Sequence, residues 1–515
     1  MRVDFRLRWI EIALGLFLAI GWFKGGLRIL HRLRIQPNVL SGLAGLGFFL
    51  LATLAKYSQV QSGRVSGKDF WLFSDLLEQT WLGAPFLTRF APQSLGWVQH
   101  GAVHPFLPIL AYAPIAGLFG GMTAATLLNS SALALGGIFL YRWAAPKWGA
   151  RTAVFFQIAF YLSSEVGRLH TYEAHPETLY PALVFLWVLS AQNPNPWLKH
   201  LGGAAALAAA MSLKADAILI FLPLIFWLRA WTSLPALFLS LGITWSAVSG
   251  FQSGALGPTA TWQGLPIAIP LGPELAGGHP FSGHFSAWEA VRAFFSRYPD
   301  PIGFLSASLQ LFMRGVFWNL VLHVPILLLE MRAWVTLLPL VVFLGLAGAQ
   351  PAHLMNHYGA PLAALYWALV ATYSMGWTTR RTIGIGFWSL LWALFFGSGG
   401  LEFYHPSPEF KARRASAKSL ATCLDTLNIA GLGVVQSKYL AWWPSERIFS
   451  DRRPRSKRDW DQTAYIVASR TEGSYEFGAT EVAATEVELK ADWTRYGSDC
   501  QPNEAEDVGL WVRNR

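Results

Sequence analysis

Twelve ionisable residues stand where an apolar chain would ordinarily avoid them. Asp69, Asp75, Glu78, His104, Arg168, Glu173, His175, Glu177, Lys214, Asp216, His353 and His357 interrupt or border the apolar runs that fill most of residues 39–397. Ionisable groups at bilayer depth are costly, so they are kept where they serve a pathway or a reaction. In Lys68-Asp69-Phe-Trp-Leu-Phe-Ser-Asp75-Leu-Leu-Glu78, the last two acids are three positions apart and share a helix face. A carboxylate there can act as general base on a hydroxyl, hold a divalent cation, or cap a helix. His104-Pro-Phe-Leu-Pro opens an apolar run, where an imidazole either binds a phosphate or forms a polar edge. Tyr172-Glu173-Ala-His175-Pro-Glu177 is the densest cluster, and Pro176 predicts a loop or a helix start. His175 with its flanking carboxylates could hold a divalent cation, although no HExxH or CxxC spacing marks a zinc site. Lys214-Ala-Asp216 reads either as a neutral pair at a bend or as a cation for a phosphate. His353 and His357, one helical turn apart, open a further run with Tyr358, and phosphate, metal and interfacial readings all stay open there.

The elements that carry these residues are membrane helices. Hydrophobic residues make up 53% of the 515, charged residues only 14%, and there are 25 Trp; soluble domains carry about 25% charge. Runs of apolar residues predict helical spans at 39–55, 123–141, 152–164, 178–190, 200–213, 217–231, 233–248, 303–327, 333–349, 358–376 and 382–397. The fold class expected is a mostly α, polytopic membrane protein of about 11–12 spans with a small C-terminal α/β domain. The net charge of +10 does not indicate nucleic acid, because Lys and Arg are spread over short loops without interleaved stacking aromatics. Residues 1–38 form a basic and apolar segment, interfacial or spanning, with Glu11 inside its apolar stretch and no small-residue cleavage site. Lys24, Arg28, Arg32 and Arg34 place the following loop on the cytoplasmic side. The run 105–119 must then lie in the interface or re-enter, because if it spanned, Arg142, Lys147 and Arg151 would fall outside. With that register the outer loops are 56–104 and 250–300, and all twelve ionisable residues fall on the outer side. After about residue 400 the composition becomes polar. Residues 401–515 alternate strand-like runs (433–436, 465–468, 509–512) with a helical one (415–427), an extracytoplasmic α/β domain on this threading. Cys423 and Cys500 both fall in it, where thiols oxidise, so a disulfide is expected, two buried thiols being the other reading.

The order of these pieces resembles the GT-C superfamily of membrane glycosyltransferases. It is closer to the bacterial membrane family called domain of unknown function 2079. The motifs that carry the resemblance are Asp69-Phe-Trp-Leu-Phe, Gly83-Ala-Pro-Phe86, His104-Pro-Phe-Leu-Pro, Glu173-Ala-His175-Pro-Glu177, Lys214-Ala-Asp216 and His357-Tyr358-Gly-Ala-Pro361. The family usually has Lys-Glu-Asp where this chain has Lys214-Ala-Asp216, and Ser74 stands where a second Asp is usual, with Asp75 displaced by one. The resemblance implies a polyprenyl-phosphate sugar as donor, transfer on the outer face of the cytoplasmic membrane, and an optional divalent cation. It implies Asp69 as the base. Lys214, Arg168 and one or more of His104, His175 and His357 would hold the lipid phosphate, with Asp75, Glu173, Glu177, Asp216 and Tyr358 completing the substrate site. A transporter of lipid-linked glycan is the main alternative, but it would place ionisable groups near the midplane and show repeated halves. A non-catalytic envelope scaffold is the third.

Overall fold

The computed structural model describes residues 35–63, 65, 68–88, 98–102, 105–171, 174–214, 217–252, 336, 360–373, 401, 404–429, 431–443, 448–450, 460, 461, 463–471, 479–489, 492–503 and 505–514. The protein is mostly helical, with a small mixed sheet at its C-terminal end. Helix α1 runs from Pro37 to Gln61, with proline in the first turn, where its missing N–H costs nothing. Its Val39, Leu43, Leu46, Leu50 and Leu54 are exposed, while Ser41, Gly45, Phe48, Ala52 and Lys56 are buried on the opposite face. A row of exposed leucines on a helix of 25 residues is a lipid-facing surface. Helix α2 spans Lys68–Trp81, and a short hairpin, β1 (Leu87–Thr88) with β2 (Val98–Gln99), follows it.

Helix α3 (Ile109–Phe119) has 11 residues, about 16 Å of rise, too short to cross a hydrocarbon core. It ends at Gly120, whose φ of 83° is open to glycine at little cost, and the chain turns straight into α4 (Gly121–Trp148). The two helices fold back on each other, with the Tyr112 hydroxyl 2.6 Å from Ser131 Oγ. Gly149, also at φ 83°, separates α4 from α5 (Ala150–Tyr161), and the short helix α6 (Ser164–Thr171) comes next. A 3-10 turn at Pro176–Leu179 leads into α7 (Tyr180–Ala191). Then come α8 (Gly203–Leu213), α9 (Ile218–Trp227), α10 (Leu234–Gln252) and α11 (Ala360–Tyr373).

Among the described residues three helices are long and apolar enough to cross a bilayer: Pro37–Gln61, Gly121–Trp148 and Trp231–Phe251. The spans expected at 152–164, 178–190, 200–213 and 217–231 are helical but shorter than a crossing requires, and the span expected at 358–376 is described, as helix, only over 360–373. Local breaks stop them: α5 ends at its cap Leu162, Lys214 closes α8, and α7 starts only after the turn that holds Glu177. Most of the expected spans 303–327, 333–349 and 382–397, and the segment 1–34, lie outside the described residues.

The C-terminal part carries α12 (Pro408–Thr426), β3 (Gly433–Val435), β4 (Ile448–Ser450), β5 (Tyr465–Ser469), α13 (Ala479–Leu489), β6 (Trp493–Tyr496) and β7 (Val508–Arg513). The strand order is β4-β3-β5-β7-β6. The first three run parallel, and β7 is antiparallel to both its neighbours. Alternation divides the two faces. Val434, Ile466, Ala468 and Trp511 pack with Val482 and Leu489 of α13. Val435, Tyr465, Val467 and Leu510 belong to the core that includes Leu420 and Leu424 of α12. Cys423 and Cys500 form a disulfide, with their Cα atoms 5.5 Å apart. The α12 side of the sheet is continuous with the helical core. The Tyr404 N–H donates to Ser58 Oγ of α1 at 3.1 Å, the Phe410 ring fills the space over Gly63, and the 3-10 turn Ser437–Trp442 packs on α2.

Candidate functional site

The site gathers around one face of α2. Asp69 stands in the first turn, half-buried, where the helix N-terminus favours negative charge. One turn on, Phe73 meets three rings edge-on: Phe106 at 5.2 Å, His175 at 4.8 Å and His100 at 6.2 Å. Residues i and i+4 share a helix face, so Asp69 lies on the same side of α2 as this cluster. The backbone of Phe106 sits at φ 33°, unusual for a side chain of that bulk. It is held there from outside. The Phe106 N–H donates to the Ser212 carbonyl at 3.1 Å, and the Leu107 N–H to Ser212 Oγ at 3.0 Å. The segment entering α3 is thus bound to the last turn of α8.

Lys214 follows that turn directly. It caps α8 in an extended conformation, where the negative end of the helix dipole favours a cation. Its ammonium is ion-paired with Glu177, whose side chain is 1% exposed against 20% for Lys214. The acid is therefore enclosed while the cation keeps an open side. Glu177 is placed by the turn that Pro176 starts. His175 caps it, its Nδ1 accepting from the Glu177 N–H at 3.3 Å, so a neutral His175 carries its proton on Nε2. The neutral-pair reading of Lys214 thus meets a partner from another loop, Glu177, and Asp216 lies outside the described residues.

The remaining acids of α2 are bound into the scaffold. Asp75 is buried, its Oδ2 accepting from Thr88 of β1 at 3.2 Å and its Oδ1 from Gln79 at 3.4 Å, which ties α2 to the hairpin. Glu78 accepts from the Gly121 N–H at 2.8 Å and so caps α4. Arg168 is half-buried on α6, which leads toward His175 and packs against α11. His104, Glu173, His353, His357 and Tyr358 lie outside the described residues. Among the described residues no three His, Cys, Asp or Glu come together as a group that could hold a metal ion.

The site therefore runs from α2 to the end of α8, between residues 69 and 214. Residues 66–250 match the family described as predicted membrane protein (DUF2079). That stretch contains every element of the cluster, from α2 to α10. No curated protein matches the chain in sequence. Among solved structures, the chain is similar to ArnT from Cupriavidus metallidurans in the apo state. The identity is 11% and the TM-score 0.50, over 91% of this chain and 97% of that one. It is also similar to the arabinofuranosyltransferase AftD from Mycobacteria at 16% identity and a TM-score of 0.41, over 93% of this chain and 40% of that one. The likeness to ArnT is one of fold. The protein is accordingly a mostly helical membrane protein that shares the fold of that structure.

Two residues near the site are not evident from the sequence alone. His100 stacks on Phe106 at 5.3 Å, and burial lowers its imidazole to about 4, so it is a neutral ring near pH 7. Its signal was its place one helical turn before His104. Lys56, near the end of α1, is fully buried, and its Nζ donates to the His170 carbonyl of α6. His170 Nε2 lies 2.8 Å from the Ala52 carbonyl, so α1 and α6 are clamped together beneath the site.

Proposed function

We propose that this protein transfers a sugar from a polyprenyl-phosphate donor to an acceptor hydroxyl at the outer face of a bacterial cytoplasmic membrane, with inversion. What carries the reading is the Lys214–Glu177 pair: an enclosed acid holding a partly open cation beside the α2 face that bears Asp69. In the proposed reaction Asp69 takes the proton of the acceptor hydroxyl. The acceptor oxygen forms a bond to the anomeric carbon. The bond from that carbon to the phosphate oxygen breaks, and its electron pair leaves with the polyprenyl phosphate. Lys214, steadied by Glu177, would meet the charge that gathers on that phosphate, and His175 Nε2 would donate to it. Arg168, and the segments bearing His104, His357 and Tyr358, are proposed to complete the phosphate site. The polyprenyl tail would lie in lipid against the apolar α3 hairpin, whose Leu110, Leu118 and Phe119 are exposed. Residues 401–515 are proposed to form a domain on the outer side, where their disulfide is at home.

The test is sugar transfer from labelled polyprenyl-phosphate sugars to envelope extract, wild type against Asp69→Asn. The expected outcome is transfer by wild type and a loss of at least ~100-fold in a folded, membrane-inserted Asp69→Asn, the scale of a removed general base. Equal transfer by both removes Asp69 from the chemistry. No transfer by either, across several donors, defeats the glycosyltransferase reading.

A further inference from the structure

Lys147, in the last turn of α4, keeps its ammonium where a lysine at the end of a span ordinarily does not. Such lysines carry the charged head out to water along an apolar stem. Here the side chain is partly exposed, yet its Nζ is enclosed and has no hydrogen-bond partner among the described residues. The ammonium lies over the Trp143 ring, 4.5 Å from the centroid. A ring face attracts a cation but leaves its three N–H groups without an oxygen acceptor, and that is costly in an enclosed place. The Trp143 Nε1–H donates to Gln192 Oε1 at 3.2 Å, so the same ring joins the ends of α4 and α7. The NH2 group of Gln192 remains as a donor at the edge of that ring. Lys147 stands about 39 Å of helix rise beyond Gly121, the residue that Glu78 of α2 caps near the site. A hydrocarbon core is about 30 Å thick, so this end of α4 lies among the headgroups of the opposite leaflet. Residues 141–152 and 191–202 carry Arg142, Lys147, Arg151, Lys199 and His200, and no Asp or Glu. Trp197, Leu198 and Leu201, just after α7, are exposed, as side chains set in lipid would be.

We propose that the ends of α4 and α7 bind the phosphate of an anionic phospholipid, in the leaflet opposite the Asp69 site. Lys147 is the cation of this second site, Gln192 a neutral donor, and Trp143 the platform on which the ammonium rests when no phosphate is there. The two chain segments that build it offer no acid for Lys147, and a headgroup phosphate is the anion that a bilayer supplies at this depth. The stem of Lys147 already reaches the surface, so rotation of its outer bonds carries the ammonium from ring to phosphate. A zwitterionic lipid brings its own ammonium to that phosphate and gains less from a lysine. A free phosphate ester lacks the acyl chains that would hold it at this level.

The experiment uses the full chain in a neutral maltoside detergent with dioleoyl phosphatidylglycerol or dioleoyl phosphatidylcholine added. Native mass spectrometry counts bound lipid, and intrinsic fluorescence follows thermal unfolding. Wild type is expected to hold phosphatidylglycerol the more tightly of the two and to gain melting temperature with it. Lys147→Met, with Lys147→Gln as a second variant should the methionine not fold, is expected to bind phosphatidylglycerol about tenfold more weakly, the scale of a lost hydrogen bond to a charged group. Its phosphatidylcholine binding should not change. Without lipid it should melt no lower than wild type, because it no longer encloses an ammonium without acceptors. Arg142→Met, which removes an exposed cation from the same end of α4, should cost less phosphatidylglycerol affinity than Lys147→Met. Equal retention of the two lipids by wild type, or wild-type preference for phosphatidylglycerol in both Lys147 variants, would overturn the site. A rise in melting temperature with glycerol 1-phosphate as large as with the lipid would overturn the phospholipid as its occupant.

Discussion

Residue by residue, what distinguishes the acids of this chain is the company each keeps. Glu177 is enclosed and meets the Lys214 ammonium, Asp75 accepts from a threonine across a hairpin, Glu78 accepts from a helix N-terminus, and Asp69 stands half-buried at the start of α2. In the proposed reaction the last is the one that meets the acceptor hydroxyl. Asp507 in the C-terminal sheet shows what a structural acid looks like. Burial alone would raise its pKa. Hydrogen bonds from Ser469 and from the hydroxyl and N–H of Thr471, with Arg413 at 2.7 Å, outweigh that and hold it below the ordinary 3.8. A carboxyl whose pKa is lower folded than unfolded adds stability at pH above its unfolded value, and that stability is lost as pH falls through the folded one. Wild type is therefore expected to lose melting temperature from about pH 4 downward in part through this group. Asp507→Asn should be less stable than wild type at pH 7, and the gap should narrow as pH falls below about 4. A constant difference between the two across that range, followed by thermal unfolding, would count against this account.

At the scale of elements, the site depends on how closely α2 lies against the start of α4. A Cβ on Gly121 would collide with the Ser74 carbonyl, and one on Gly117 with the Trp81 ring. Backbone cannot yield as a side chain can, so Gly121→Ala must push α2 away, and overpacking of this kind costs about 1–3 kcal/mol. It also lengthens the Glu78 cap. Gly136→Ala, by contrast, meets only the Phe160 ring at 3.2 Å and Pro181 at 3.3 Å, contacts that a few tenths of an ångström relieve. The expected order of melting temperatures in detergent is wild type, then Gly136→Ala, then Gly121→Ala clearly lowest; the reverse order would show that α2 is not fixed by this crossing. Helix α2 itself was legible, because its apolar positions recur at helical spacing between polar ones, as were α12 and the strands β3, β5 and β7. The short apolar helices were read as full spans, since hydropathy marks an apolar run but not the depth at which a serine or lysine ends it. The residues of the site were legible as ionisable groups bordering apolar runs. The partnership of Lys214 with Glu177 was not, because it arises from two distant loops brought together by α7 and α8.

Across the whole molecule, one continuous core extends from Phe48 in α1 to Val512 in β7. The C-terminal sheet is thus not a passenger on a linker. It meets the helical part at the end of α1 and along α2, the helix that carries Asp69. One contact at the junction fills the space over Gly63. Gly63, at φ 66°, lets the chain turn out of α1, and the Phe410 ring of α12 occupies the space where a Cβ would stand. Phe410 is 4% exposed, so trimming it to alanine leaves a cavity at the seam and costs about 3–5 kcal/mol. That loss falls on the coupling between the two parts rather than on either core alone. The α12 face of the sheet keeps Leu420, Leu424 and the disulfide, and the helices keep their own contacts. With the seam intact the two parts should melt together, in a single calorimetric transition. Phe410→Ala should split it, the sheet melting first and the helical part near the wild-type temperature. The weaker seam should also let α2 move, so ligand binding at the Asp69 face should fall while Glu177 and Lys214 remain paired. A single transition in Phe410→Ala, lowered as a whole, would mean that the coupling runs through the Ser437–Trp442 turn on α2 instead.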